Sequence, residues 1–157
     1  MNNNDILRRL RYALNISNSG MAEIFKNSGY DITEAKILTL LKKEEEEGFA
    51  ECSDMEMTHF LDGLIIQRRG RRNDADSEPD VKPEIRMTNN MVLKKLRIAL
   101  DFKEEDMLAV FKLARFEVSK PELSAIFRKK GHKNYKLCKD QMLKNFLQGL
   151  TIYLRKE

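Results

Sequence analysis

This chain is written twice, and that constrains its fold more than anything else in it. Displaced by 86 residues, MNNNDILRRLRYAL falls on MTNNMVLKKLRIAL, and the register then holds without insertion to the end. Met1, Asn3, Asn4, Leu7, Leu10, Arg11, Ala13 and Leu14 meet Met87, Asn89, Asn90, Leu93, Leu96, Arg97, Ala99 and Leu100. Met21, Phe25 and Lys26 meet Met107, Phe111 and Lys112, while Lys43, Cys52 and Asp54 meet Lys129, Cys138 and Asp140. Phe60, Leu61, Gly63, Leu64 and Ile66 meet Phe146, Leu147, Gly149, Leu150 and Ile152. A solenoid needs three or more short repeats. Two long copies specify two small tandem domains, or two halves of one pseudo-symmetric domain.

The periodicity within each copy is helical. Three prolines and seven glycines in 157 residues fit helices better than a sandwich of short strands. Helix one is predicted over about 3–14, with Ile6, Leu7, Leu10, Ala13 and Leu14 as its apolar stripe and Asn3 or Asn4 as N-cap. Helix two covers about 19–28. Helix three begins after Thr33, and its counterpart opens SKPE, where Ser119 and Glu122 make a capping box and Pro121 fits a first turn. Helix four starts at Ser53 with Glu56 completing a second box, and Met57, Phe60, Leu61, Leu64 and Ile65 give it a core face. The expected fold is therefore all-α: two tandem homologous units of about four helices, repeat one over 1–69 and repeat two over 87–157. Between them, GRRNDADSEPDVKPEIR at 70–86 reads as an extended, charged linker. Gly63 and Gly149 fall inside helix four of each copy, where Gly costs about 1 kcal/mol against Ala. Keeping both calls for a tight helix crossing or a gap facing a ligand.

Several stretches together are specific enough to carry a resemblance: NNDILRRLRYAL, the ECSD before helix four, FLDGLII, and SKPELSAIFRKKGHKNY in the second copy. They resemble the YehS-like family of duplicated-domain bacterial proteins of unknown function. The resemblance implies an all-helical, duplicated, cytoplasmic bacterial protein and transfers no functional residues.

Chemistry has to be sought in the residues themselves. No Gly-rich phosphate loop, H-E-x-x-H, G-x-S-x-G or metal-ligand spacing occurs. The start, MNNNDILRRL, lacks the apolar run of a signal peptide, and no apolar stretch would span a bilayer, so a soluble cytoplasmic protein is expected. Cys52 and Cys138 are expected as reduced, buried thiols. His59 and His132 do not match across the repeats: one falls on Asn145, the other on Glu46. No catalytic residue, metal or cofactor is expected, and the protein is read as a non-enzyme.

Charge is more informative. Residues 1–72 hold 11 Lys+Arg against 12 Asp+Glu, whereas residues 87–157 hold 16 against eight. The formal net charge of +4 hides a strongly basic second half. Its peak lies at the exit of helix three: Arg128, Lys129, Lys130, Lys133, Lys136 and Lys139, with His132 and Tyr135 between them. The same place in repeat one reads KKEEEEGFAEC, with Glu44, Glu45, Glu46, Glu47 and Glu51. Basic residues with an interleaved Tyr suit a nucleic-acid backbone with one stacking contact. RRGRR at 68–72 would add to the same field. A helix-turn-helix reader of DNA is disfavoured by the long connection from about Lys26 to Thr33. The two third helices also differ, with Lys36, Thr39 and Lys43 on one exposed face and Glu122, Ala125 and Lys129 on the other. The expectation is a non-enzymatic helical module that binds nucleic acid, RNA or non-specific DNA, through repeat two. The alternative is a protein–protein or self-assembly module pairing the acidic and basic loops, as a homodimer or between repeats.

Overall fold

The expected helical periodicity appears as eight helices in the structure, a computed structural model that describes residues 1–70 and 86–156. They divide into two units, Met1–Met87 and Thr88–Glu157. Unit 1 holds α1 (Asn3–Ala13), α2 (Asn18–Asn27), α3 (Glu34–Leu40) and α4 (Asp54–Arg69). Unit 2 holds α5 (Asn89–Leu100), α6 (Glu104–Leu113), α7 (Lys120–Ile126) and α8 (Asp140–Arg155). No strand occurs among the described residues. The expected linker falls almost entirely on 71–85, outside them, as do Arg71 and Arg72 of the RRGRR cluster.

The caps set the helix starts. Thr33, Ser53 and Ser119 each accept a backbone N–H from the third residue on, and Glu56 and Glu122 close the capping boxes that the sequence pattern implies. Helix one differs from expectation: its cap is Asn2, whose Oδ1 accepts from Asp5 N at 2.8 Å, and not Asn3 or Asn4. The third helices end at Leu40 and Ile126, so Lys43 and Lys129, expected on their exposed faces, lie on the following loops, and Leu38 is an exposed position.

Each unit buries one core. In unit 1 it includes Leu7, Leu10, Met21, Ile24, Phe25, Ile37, Leu40, Met57, Phe60 and Leu61, and the Phe25 and Phe60 rings pack at a tilt, 5.5 Å between centroids. In unit 2 Phe111 and Phe146 repeat that pair at 5.3 Å. The principal packing is α2 on α4 and α6 on α8. At both crossings a glycine faces backbone. A Cβ on Gly63 would lie 1.8 Å from Ile24 O, and one on Gly149 would lie 2.0 Å from Val110 O. The space is filled by protein backbone, so the crossing, and not a ligand gap, accounts for both glycines. Asn27 Nδ2 also donates to Gly63 O at 3.4 Å, tying the same two helices.

The turn after the second helix differs between units in a telling way. Gly29 holds φ +86, and its counterpart Arg115 holds φ 57. A left-handed backbone costs an L side chain roughly 1–2 kcal/mol, so unit 2 carries strain there that unit 1 avoids.

Candidate functional site

The loop leaving the third helix is positioned in each unit by one buried asparagine. In unit 1, Asn4 is 1% exposed. Its Nδ2 donates to Leu40 O at 2.8 Å and to Ala50 O at 2.9 Å, and its Oδ1 accepts from Cys52 N at 2.9 Å. In unit 2, Asn90 Nδ2 donates to Ile126 O at 3.1 Å and Lys136 O at 2.8 Å, and Oδ1 accepts from Cys138 N at 2.8 Å. One side chain thus satisfies the end of a helix and both limbs of a loop. The neighbouring Asn3 and Asn89 tie the next step, each donating to the cysteine carbonyl at 3.1 Å and to the Asp54 or Asp140 carboxylate at 2.8 Å. The Asn89 hydrogen bond holds the Asp140 carboxyl below its ordinary pKa. The duplicated asparagine pair is therefore a latch.

The loop backbones repeat as well. Glu46 N donates to Lys43 O, Phe49 N to Glu46 O and Ala50 N to Thr39 O. His132 N to Lys129 O, Tyr135 N to His132 O and Lys136 N to Ala125 O are the matching bonds of unit 2. Two loops of opposite charge share these bonds, with the left-handed glycine at a different turn in each, Gly48 in one and Gly131 in the other.

On the unit 2 frame, Arg128, Lys129, Lys130, His132, Lys133, Lys136 and Lys139 are all exposed, and Tyr135 is half-buried. All the basic candidates thus lie exposed in the segment between α7 and α8. Lys136 pairs with Glu122 at 3.3 Å. Hydrogen bonding with Ser119, then the Lys136 ammonium, holds the Glu122 carboxyl below its usual range. None of Arg128, Lys129, Lys130, Lys133 and Lys139 forms an ion pair with a described residue. Lys139 is also the cap residue of α8, where unit 1 has Ser53, and it offers no side-chain acceptor. One further basic position lies on another helix of the repeat. In unit 1, Arg8 donates to Lys42 O at 3.0 Å, which sets that position beside the start of the loop. Lys94 is its counterpart on α5, and it is exposed.

On the unit 1 frame, Glu44, Glu45, Glu46, Glu47 and Glu51 are exposed. Glu46 is partly committed inward, its Oε1 accepting from Lys43 N at 2.9 Å, while Lys42 Nζ donates to Glu47 O at 2.7 Å.

Unit 1 contains a polar cluster that sequence reasoning missed. Tyr30 OH donates to Glu56 Oε2 at 2.9 Å, and Glu56 is 6% exposed. Ser28 Oγ lies 3.0 Å from His59 Nδ1 and donates to the His59 carbonyl at 2.7 Å, with the Tyr30 and His59 rings edge to face at 5.0 Å. Ala114, Phe116, Met142 and Asn145 stand at these positions in unit 2. That contrast was the available signal. Burial, then the Glu56 hydrogen bond, pushes Tyr30 up to about 12. Burial likewise pushes the Cys52 thiol to about 12 and the Cys138 thiol to about 11, the reverse of what an activated nucleophile needs. Both cysteines are free and buried.

Among the described residues, no group of three His, Cys, Asp or Glu side chains is placed to hold a metal ion, and no helix is long and apolar enough to cross a membrane. The family described as Protein of unknown function (DUF1456) matches the chain twice, over residues 3–70 and 89–156, one match on each helical unit. The chain is 44% identical over 151 residues to the Uncharacterized protein YehS of Escherichia coli (strain K12), covering 96% of this chain and 95% of that protein. No solved structure matches.

Proposed function

Because the chain belongs to the family Protein of unknown function (DUF1456), we propose its function from its own surface: a non-enzymatic helical module that contacts nucleic acid, RNA or non-specific DNA, through the basic loop of unit 2. One observation carries this reading. Arg128, Lys129, Lys130, Lys133 and Lys139 are exposed without ion-pair partners among the described residues, on a loop whose backbone Asn90 and its own hydrogen bonds fix. The acidic loop has the same support, so the unpaired cations are what set this loop apart, and on a fixed backbone they release counterions from phosphates at low ordering cost. Filter binding across a salt series tests it. Wild-type protein should bind at about 50 mM salt, and affinity should fall linearly on a log–log plot. Lys129→Glu, Lys130→Glu and Lys133→Glu together should weaken binding and flatten that slope. Wild-type protein that ignores nucleic acid at low salt overturns the reading.

The matched frames with opposite charge favour a second reading, self-assembly between copies through the Glu44–Glu47 and Lys129–Lys133 loops. Light scattering at low and high salt separates it: a salt-sensitive oligomer supports it, and a monomer at both refutes it.

A further inference from the structure

A duplex is read by a helix or ribbon lying in its major groove. The helix leading into the basic loop does not suit that role. Helix α7 has seven residues and is therefore ~10 Å long, and its exposed positions after the proline are Glu122 and Ser124. The cations sit instead on the irregular loop beyond it, together with two features that phosphate contacts alone do not use. Leu137 is 58% exposed, although it lies between Lys136 and the buried Cys138. Its counterpart in the acidic loop is Glu51, so the shared frame does not require an apolar side chain there. The exposed His132 ring is held in place, because its Nδ1 accepts from Asn134 N at 3.0 Å. A held, solvent-facing ring on the same loop as an exposed leucine and several lysines offers surfaces to unpaired bases.

We propose that this loop takes single-stranded nucleic acid, its bases seated on His132 and Leu137 and its phosphates on Lys129, Lys130 and Lys133. The proposal rests on the nucleic-acid reading above and narrows it. In the paired bases of a duplex the faces are closed to side chains, so His132 and Leu137 add nothing to duplex affinity. In a single strand each base offers a face of any sequence, so the site is tolerant of sequence.

Fluorescence anisotropy with full-length protein compares labelled oligouridylate and oligothymidylate with a duplex of the same length at one salt concentration. The single strands should bind about tenfold or more tighter. His132→Ala and Leu137→Ser should each weaken single-strand binding about 5- to 20-fold, leave duplex binding unchanged and leave the salt slope intact. His132→Phe should retain most of the affinity. Lys129→Ala should instead reduce the slope by about 0.7. Circular dichroism melts confirm that these surface variants fold. Duplex binding equal to or tighter than single-strand binding overturns the proposal and leaves the broader function standing. So does single-strand binding that ignores both His132→Ala and Leu137→Ser. Failure of both probes at low salt overturns the broader function with it.

Discussion

Replacing Gly63 with alanine decides between two opposed effects of known size. An alanine inside α4 gains about 1 kcal/mol of helix propensity over glycine. Against that, its Cβ would lie 1.8 Å from Ile24 O and 2.7 Å from Ile24 C, both backbone atoms of α2. A carbon–oxygen contact needs about 3.3 Å, so the two helices must part by about 1.5 Å. They cannot do so locally, because Met21, Ile24, Phe25, Phe60, Leu61 and Leu64 pack at high density across the interface. Overpacking of this kind costs about 1–3 kcal/mol when side chains absorb it, and here the obstacle is backbone, which puts the cost at or above ~3 kcal/mol. The net loss is about 2 kcal/mol or more, from a unit whose whole stability is about 4 to 10 kcal/mol. At about 4–8 °C per kcal/mol, the melting temperature should drop by about 8–16 °C. Gly149→Ala should act alike, since its Cβ would meet Val110 O at 2.0 Å. Thermal denaturation followed by circular dichroism at 222 nm measures both variants. A melting temperature equal to or above wild type would mean that propensity wins and that the crossing does not explain the glycines.

Asn90→Ala removes three hydrogen bonds and strands the Ile126, Lys136 and Cys138 backbone groups. We expect a loss of about 2–4 kcal/mol by urea denaturation and faster proteolysis within 128–139; unchanged cleavage would refute the latch. Arg115→Gly should stabilise unit 2 by up to about 1 kcal/mol, since Arg115 holds φ 57, and Gly29→Ala should destabilise unit 1 by a similar amount. Paired urea melts showing the opposite signs would contradict it. High pH should be destabilising. Cys52 and Tyr30 hold their protons up to about 12 in the folded state, and Cys138 to about 11. Raised folded-state values stabilise fully below the unfolded-state values of 9.0 for the thiols and 10.0 for Tyr30, and that contribution drains as pH rises toward 12. The urea midpoint should therefore fall above about pH 9, and Tyr30→Phe, which copies Phe116, should lose part of that fall. An identical profile in Tyr30→Phe would show that Tyr30 takes no part.

Helix existence and most helix starts were legible because caps are local: Thr33, Ser53 and Ser119 bond to N–H groups three residues on, within the span of a pattern. The run Asn2–Asn3–Asn4 shows where locality stops. All three can cap, and only the long-range partners at Leu40, Ala50 and Cys52 show that Asn2 caps while Asn3 and Asn4 reach across the unit. Helix three ends at Leu40, whose carbonyl accepts from Asn4 across the unit. The basic loop was legible as composition, and its surface exposure followed from charge. The place of Lys94, at the α5 position that matches Arg8, was not, because it arrives from another helix. The Tyr30–Glu56 and Ser28–His59 pairs were hidden by sequence separations of 26 and 31 residues.

The asparagine latch makes the segment it spans an interchangeable cassette. Its grip is on backbone atoms at both ends, so exposed side chains between them can change while it holds, apart from the left-handed Gly48 and Gly131. A charge inversion such as Glu44–Glu47 against Lys130–Lys133 is then a cheap change, and new specificity can be tried on one copy while the other keeps its own. A graft follows directly: residues 44–49 exchanged for 130–135 should leave both units folded and carry the surface chemistry with the insert.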